Sequence, residues 1–311
     1  MKTLDIVIPS KNSGEDLVST IKLWLTQKIP NDWQIKIYLI DDGSTDDSVA
    51  RLKSLVTDER LTIIRNPSSL GRSKARNQGA DKGTGEYIAF FDADCTPINN
   101  EALYFIIQSI LKESPAIIFG KLIASGNNFW NQYFNEVSRK RELAFSKGNP
   151  FALTTAHLTI CRSLFESING FDERYVYYGF EDRDLLIRAY KKECHFIFQP
   201  HSIVIHHDKL TLRVICKKMK IAGQTTSKLF KESHPKEYRE MLFSKVDYQE
   251  LVPFLRTLFL LIAKITIFMT SFFDKVLDLK APFIIKSLIV KYYTACAFLL
   301  GSSNKKMSDD Y

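Results

Sequence analysis

The chain has 311 residues, enough for one large domain or two smaller ones, and its 45% hydrophobic and 25% charged residues are those of an ordinary globular protein. Its formal net charge is +8, but no Lys/Arg block is interleaved with aromatics as in a nucleic-acid module. Nucleic acid is therefore set aside as a partner, and the basic excess over residues 209–245 fits an anionic membrane face or a diphosphate. Five cysteines, odd in number and without a C-x-x-C pair, argue against a zinc site or a disulfide frame and for reduced thiols in a cytosolic setting.

The chain enters a strand (4–8) almost at once, with no apolar signal segment, so its folded part is expected in the cytosol. Pro9 stops that strand, and residues 10–14 form a loop. Leu17, Ile21, Trp24 and Leu25 have helical spacing within 15–27. A second strand, 35–40, runs into Asp41-Asp42-Gly43-Ser44-Thr45-Asp46, where Thr45 or Asp46 caps a helix through about residue 56; 61–64 is a third strand. Residues 71–82 read as a basic helix opened by Arg72, Lys74 and Arg76. There the positive dipole end and the side chains both favour an anion, although a solvated face would use the same charges. After Gly83-Thr84-Gly85, the apolar strand Tyr87–Phe91 runs into Asp92-Ala93-Asp94 and is stopped by Pro97. Strand alternation would set Asp92 and Asp94 on one side.

Strands alternating with helices in this way predict an α/β fold with a mostly parallel, doubly wound sheet. Ligands bind such sheets beyond the carboxyl ends of the strands. The loops after the first, second and fourth strands would therefore bring Pro9/Ser10, Asp41/Asp42 and Asp92/Asp94 to one crevice. Two carboxylates there can hold Mg²⁺ or Mn²⁺ and leave positions for phosphate oxygens. The second-strand acids can accept hydrogen bonds from a base N–H or ribose hydroxyls. Neither a P-loop nor a dinucleotide fingerprint is present in the sequence.

Farther on, 99–112 reads as a helix, 116–119 as a strand, 154–160 as a strand and 162–168 as a short helix. The polar, aromatic stretch 126–148 suits either a mobile lid or acceptor loop or an amphipathic surface helix. Residues 180–192 have helical spacing, with Glu181, Asp182 and Asp184 in the first turn. Acids there stabilise the helix dipole. That accounts for acids in general but not for the aromatic, glycine-containing approach Gly170-Phe171-Asp172 to Gly179-Phe180. Residues 194–200 read as a strand, followed by a second segment, 202–207, ending in His206-His207. Neighbouring strand residues point to opposite faces, so one of that pair would face a site; His206 is taken, with His207 the alternative.

The remainder is basic, then apolar. Residues 210–234 read as one basic helix. From Val252 onward, apolar runs are interrupted by Arg256 and Lys264, about 80° apart on a helical wheel, and flanked by Lys275, Lys280, Lys286 and Lys291. Helices lying in the cytosolic membrane interface are expected; spanning helices, or a soluble or oligomer-forming appendix, are the alternatives. Residues 302–311 read as a disordered tail.

Val7-Ile8-Pro9, Ile40-Asp41-Asp42-Gly43-Ser44-Thr45-Asp46, Gly71-x-x-x-Ala75-Arg76-Asn77-x-Gly79 and Phe91-Asp92-Ala93-Asp94 occur in this order. Together they resemble the nucleotide-sugar-binding half of a family 2 glycosyltransferase of GT-A fold. The segment Gly170-Phe171-Asp172 to Gly179-Phe180-Glu181-Asp182-x-Asp184-Leu185-x-x-Arg188 resembles the galactosyltransferase-type segment of chondroitin-polymerase-like enzymes. The resemblance implies a metal-dependent, inverting transfer of a hexose or N-acetylhexosamine from a UDP-sugar to a glycan or lipid-linked glycan, in surface polysaccharide or lipid-linked oligosaccharide assembly, at the inner face of the plasma membrane. By it, Asp41 contacts the uracil ring, Asp92 serves ribose and metal, Asp94 is a metal ligand and His206 a further one. Asp182 is then the base that takes the acceptor's proton, and Glu181 supports it or holds the acceptor. Ser10-Lys11 departs from the family's small residue and Tyr before Asn12. The domain layout implied is a nucleotide-sugar-binding half (1–98), an acceptor and catalytic half (99–208) and a helical extension (209–301). A polyprenyl-phosphate sugar synthase and a catalytically silent sugar-nucleotide-binding subunit are the rival readings.

Overall fold

The computed structural model describes residues 1–304. Strands β1 (Lys2–Ser10), β2 (Trp33–Asp41), β3 (Leu61–Arg65) and β4 (Tyr87–Phe91) pair in parallel in the order β3-β2-β1-β4. They are joined by helices α1 (Asp16–Leu25), α2 (Ser48–Leu55) and α3 (Arg72–Lys82). Side chains alternate between two cores, which is why the central strands are apolar on both faces. Leu4, Ile6, Ile8, Tyr87, Ala89 and Phe91 meet Leu17, Ile21 and Trp24 of α1 and Val49 and Leu52 of α2 in one core. Val7, Ile40, Ile88 and Phe90 meet Ala75 and Ala80 of α3 in the other. Gly79 marks the approach of α3 to the sheet, since a Cβ there would lie 2.4 Å from Val7 Cγ1.

Beyond β4 come β5 (Cys95–Pro97), α4 (Ala102–Glu113), β6 (Ile117–Ile123), α5 (Phe129–Ser146), β7 (His157–Cys161), α6 (Arg162–Ser167), α7 (Glu181–Tyr190) and β8 (Phe196–His206). β7 enters between β4 and β6 antiparallel to both, β8 runs parallel to β6, and β5 closes the edge antiparallel to β8. The eight-stranded sheet, β3-β2-β1-β4-β7-β6-β8-β5, thus joins a wholly parallel half, β3-β2-β1-β4, to a mixed half. A short apolar run carries no mark of its direction, so β6 and β7 could not be oriented from sequence. Residues 126–148 are mainly the helix α5. The two segments expected over 194–207 are one strand: Pro200 sits where the register jumps from Gly120↔Gln199 to Lys121↔Ile203, an irregularity that tolerates its missing N–H. Inside this region His157 is buried, its Nε2 3.0 Å from Ser202 Oγ, and burial lowers its pKa to about 3, so the ring is neutral.

The chain resolves into two compact units. The first holds residues 1–127, 134–173 and 185–208, and the second holds 128–133, 174–184 and the chain from Lys209 onward. Segments 128–133 and 174–184 thus cluster with the chain after 208 rather than with the sheet. Helix α7 therefore starts in the second unit and ends in the first, where Leu185, Leu186 and Ala189 are buried.

The second unit is helical: α8 (Leu212–Gln224), α9 (Thr226–Ser233), α10 (Pro235–Glu240), a 3₁₀ turn (Leu242–Val246), α11 (Pro253–Phe268), α12 (Thr270–Asp278) and α13 (Phe283–Ser303). The single basic helix expected over 210–234 is two, because Thr225 leaves helical geometry with φ −119° and ψ −83°. Leu212, Cys216, Leu277, Val290, Tyr293 and Ala297 form its core, with Phe129 and Trp130 against it. Ser302 and Ser303 belong to α13, and Ser302 Oγ accepts from Tyr248 N at 2.9 Å, so they are not part of a tail. Residues 305–311 of the expected tail lie outside the described residues.

Candidate active site

β4 ends at Phe91, and Asp92-Ala93-Asp94 form a turn before β5, so strand alternation does not set the two carboxylates. Side chains from three other elements do. Trp24 of α1 stacks on Phe91 (ring centroids 3.9 Å apart) and donates its indole N–H to Cys95 O at 3.1 Å, fixing both ends of the turn. Arg76 of α3, 2% exposed, donates from Nη2 to Asp92 Oδ1 at 2.8 Å. At the end of β8, His206 Nε2 stands 3.6 Å from Asp94 Oδ1, with the His206 ring stacked on Phe134. His207 is turned to Thr96 Oγ1, 2.7 Å away, so His206 is the histidine beside the acid.

The charges here are unbalanced. Burial raises the Asp92 pKa, but Arg76, Arg72 and His206 outweigh it and hold the carboxyl below its usual range. Asp94 is raised, first by the surrounding protein bulk and then by Asp92 and Asp208, against the pull of His206, although its side chain is 46% exposed. Neighbouring carboxylates beside an imidazole suit a divalent cation. Among the described residues, Asp94, Cys95 and His206 place one ligand atom each within 4.8 Å of one another. Cys95 is fully buried and its thiol pKa lies well above the usual value, chiefly through burial. Mn²⁺ and Mg²⁺ prefer hard oxygen donors to a buried sulfur, so Asp94 and His206 with Asp92 behind them could hold either ion with open positions.

On the β1–β2 side the expected residues are present but differently employed. Asp42 is 5% exposed and accepts from Leu70 N, Gly71 N, Ser69 Oγ and Asn66 Nδ2. Burial raises its pKa, and those four hydrogen bonds bring it below the ordinary value. Its oxygens are thus engaged in shaping the loop before α3. Arg76 lies under Asp92, while Arg72 is exposed at the start of α3. Asp41 is fully buried, with Oδ1 on Ser44 N at 2.8 Å and Oδ2 3.3 Å from Arg65 Nε. Arg65, with a side chain 61% exposed, is a residue that sequence reasoning missed. Pro9 pairs in register with Ile40, and Ser10 Oγ is 2.8 Å from Ser13 Oγ. Asn77, quoted above only as part of a signature, exchanges two hydrogen bonds of 2.9 Å with the backbone of Phe171, tying α3 to the segment that leads toward the acids.

The acids themselves belong to the second unit. Gly179 (φ +103°) and Phe180 (φ +72°) turn the chain into α7, and Gly179 N donates to Glu181 Oε2 at 3.0 Å. Glu181 is 4% exposed and Asp184 is 2% exposed, whereas Asp182 between them is half-buried. Within this turn, Asp182 is the acid with open surface for a substrate.

Two family descriptions match: glycosyl transferase family 2 over residues 5–168 and the N-terminal domain of galactosyltransferase over residues 153–211. An uncharacterized glycosyltransferase of Haemophilus influenzae is 34% identical over 115 residues, 36% of this chain and 45% of that protein. The Escherichia coli protein named UDP-Glc:alpha-D-GlcNAc-diphosphoundecaprenol beta-1,3-glucosyltransferase WfaP is 27% identical over 145 residues, 40% of this chain and 56% of that one. The chain therefore spans about half the length of these relatives. Among solved structures, the mannosyltransferase PcManGT of Pyrobaculum calidifontis, in complex with GDP-Man and Mn²⁺, superposes with a TM-score of 0.64 at 16% identity, covering 96% of this chain and 86% of that one. That likeness establishes the GT-A fold. With the first family description spanning more than half of the chain, and its four signatures lying on β1, β2, α3 and the β4 turn, the protein belongs to glycosyl transferase family 2.

Proposed function

We propose that the protein transfers a hexose or N-acetylhexosamine from a UDP-sugar to a hydroxyl of a glycan or lipid-linked glycan, with inversion at the anomeric carbon. The observation that carries this reading is the Asp94–His206 pair beside an Asp92 anchored by Arg76. Asp94 and His206, with Asp92, would hold a divalent cation, whose charge would offset that growing on the departing diphosphate. Asp41 and Arg65 are assigned to the base. Asp182 removes the proton from the acceptor hydroxyl as that oxygen forms its bond to the anomeric carbon. The bond from that carbon to the diphosphate breaks, and its electron pair leaves with UDP. A relative named for UDP-Glc transfer to a diphosphoundecaprenol-linked sugar supports both the donor and the lipid-linked acceptor class. Titration calorimetry with Mn²⁺ is expected to show UDP binding about tenfold or more tighter than GDP, a difference of about 1.4 kcal/mol. Preference for GDP would overturn the donor assignment. Transfer of the sugar to a glycan hydroxyl with release of UDP, rather than transfer to a polyprenyl phosphate, separates this reading from a synthase of sugar-phosphate lipids.

The extension supports a peripheral membrane location on the cytoplasmic side. Phe254, Leu258, Leu261, Ile265 and Phe268 recur at helical spacing along α11 and are exposed, as are Ile284, Ile285 and Leu288 on the first turns of α13. Water does not favour such a face, and exposed Lys264 of α11, Lys275 of α12, Lys280 between α12 and α13 and Lys291 of α13 suit an anionic lipid surface. Among the described residues, α13 is long and apolar enough to cross a membrane, and the α11–α12 pair meets the same measure but is bent by 57°. The buried last turns of α13, with Phe298 at 0% and Leu299 at 7% exposure, favour a packed helix over one surrounded by lipid. Full-length protein is expected to float with phosphatidylglycerol-containing vesicles. The triple change Phe254→Ser, Leu258→Ser and Phe268→Ser should lower that partition about tenfold or more. Equal flotation of both proteins would overturn the location.

A further inference from the structure

The acid turn is gripped by a junction fifty residues later in the chain. His234 joins α9 to α10, its backbone held on both sides by Phe230 O (2.7 Å) and Tyr238 N (2.9 Å). Its ring is buried, and Nε2 lies 2.8 Å from Asp184 Oδ1, with side-chain exposures of 4% and 3%. A carboxylate only accepts, so Nε2 carries the hydrogen. At the other end of the turn, Phe180 adopts φ +72°, a left-handed conformation unfavourable for a residue with a Cβ. Its ring packs on Phe230, 5.0 Å between centroids, and on Tyr238. Phe230 in turn packs on the His234 ring at 5.0 Å. Asp184 N closes the circuit by donating to Phe180 O at 2.9 Å. Phe180, Asp184, His234 and Phe230 thus form a closed ring of contacts whose enclosed chain is Glu181-Asp182-Arg183. Thr226 adds a second hold from α9, donating to Tyr178 O at 3.0 Å.

We infer that His234 is a positioning residue for the catalytic turn: through Asp184 it fixes the direction in which Asp182 meets the acceptor hydroxyl. The inference rests on Asp182 being the base. Donor and metal residues lie on other elements, so loss of His234 should act on turnover and leave donor binding alone. Misplacing a reacting group by about 1 Å costs on the order of 10²-fold in rate.

The test uses the full chain, with sugar transfer measured by steady-state kinetics and UDP·Mn²⁺ binding by calorimetry. His234→Ala is expected to lower kcat about 10²-fold while UDP affinity stays within about twofold. His234→Gln retains an N–H donor near the position of Nε2 and is expected to recover about tenfold of that loss, which also keeps the idea testable if the alanine variant folds poorly. A His234→Ala enzyme with wild-type kcat, a parallel fall in kcat and UDP binding, or a glutamine variant no better than alanine would each overturn the positioning role. Asp182→Asn is measured alongside. If that variant turns over normally, the base assignment fails; if it is inactive while His234→Ala is fully active, only the positioning role fails.

Discussion

Asp182→Asn is expected to lower kcat by about 10²–10⁴-fold, the usual worth of general-base assistance, with donor KM unchanged. Asparagine keeps the shape of the side chain and a carbonyl that accepts hydrogen bonds, so the first turn of α7 should stand. What it loses is the capacity to hold a proton. The split between kcat and KM carries the weight here, because a change that merely unsettled α7 would also disturb Leu185, Leu186 and Ala189, which are buried in the first unit's core. Glu181→Gln provides the contrast. Glu181 is 4% exposed and bound to Gly179 N, so its replacement should show first in thermal stability. Wild-type turnover in Asp182→Asn would move the base elsewhere.

Asp94→Ala is expected to abolish stimulation by Mn²⁺ and to lower kcat/KM by about 10³-fold, or roughly 4 kcal/mol of transition-state stabilisation. The carboxylate is nearly half exposed and faces His206 at 3.6 Å, so its removal leaves no buried partner stranded and should cost little stability. Manganese binding followed by electron paramagnetic resonance in the presence of UDP should disappear with the activity. Cys95→Ser is the control: Sγ lies near the same point, but burial holds it as a thiol. Manganese binding in that variant should match the wild type, and its loss would bring sulfur into the ligand set.

Much of this site was legible because its carriers are local. An apolar strand ending in Asp92-Ala93-Asp94, or Ile40-Asp41-Asp42-Gly43, states in a few adjacent residues both the element and the chemistry at its end. What depended on packing was not legible. Arg76 reads as one more surface cation on a basic helix, and only the seating of α3 against Val7 at Gly79 sends it beneath Asp92. The hydrogen bonds of Asp42 to Ser69, Leu70 and Gly71 cross more than twenty-five residues and leave no mark in the sequence. The choice between His206 and His207 required the β5–β8 register, in which Cys95 pairs with His206. Nothing near Asp184 announces His234, since no periodicity links residues fifty positions apart. The cluster of 174–184 with the extension was hidden for the same reason.

The separation between Asp184 and His234 also sets an order of events during synthesis. The sheet strands and the Asp92–Asp94 turn leave the ribosome well before His234, and the amino-terminal part of a chain folds first. A chain that has reached β8 holds its donor and metal residues but has nothing yet to close the ring behind Glu181 and Asp182. Only when α9 and α10 have been made can His234 reach Asp184 and, on the proposed roles, orient the base. On the proposed roles, the chemistry is thus completed just before the helices that carry the apolar face, α11 and α13, have been made.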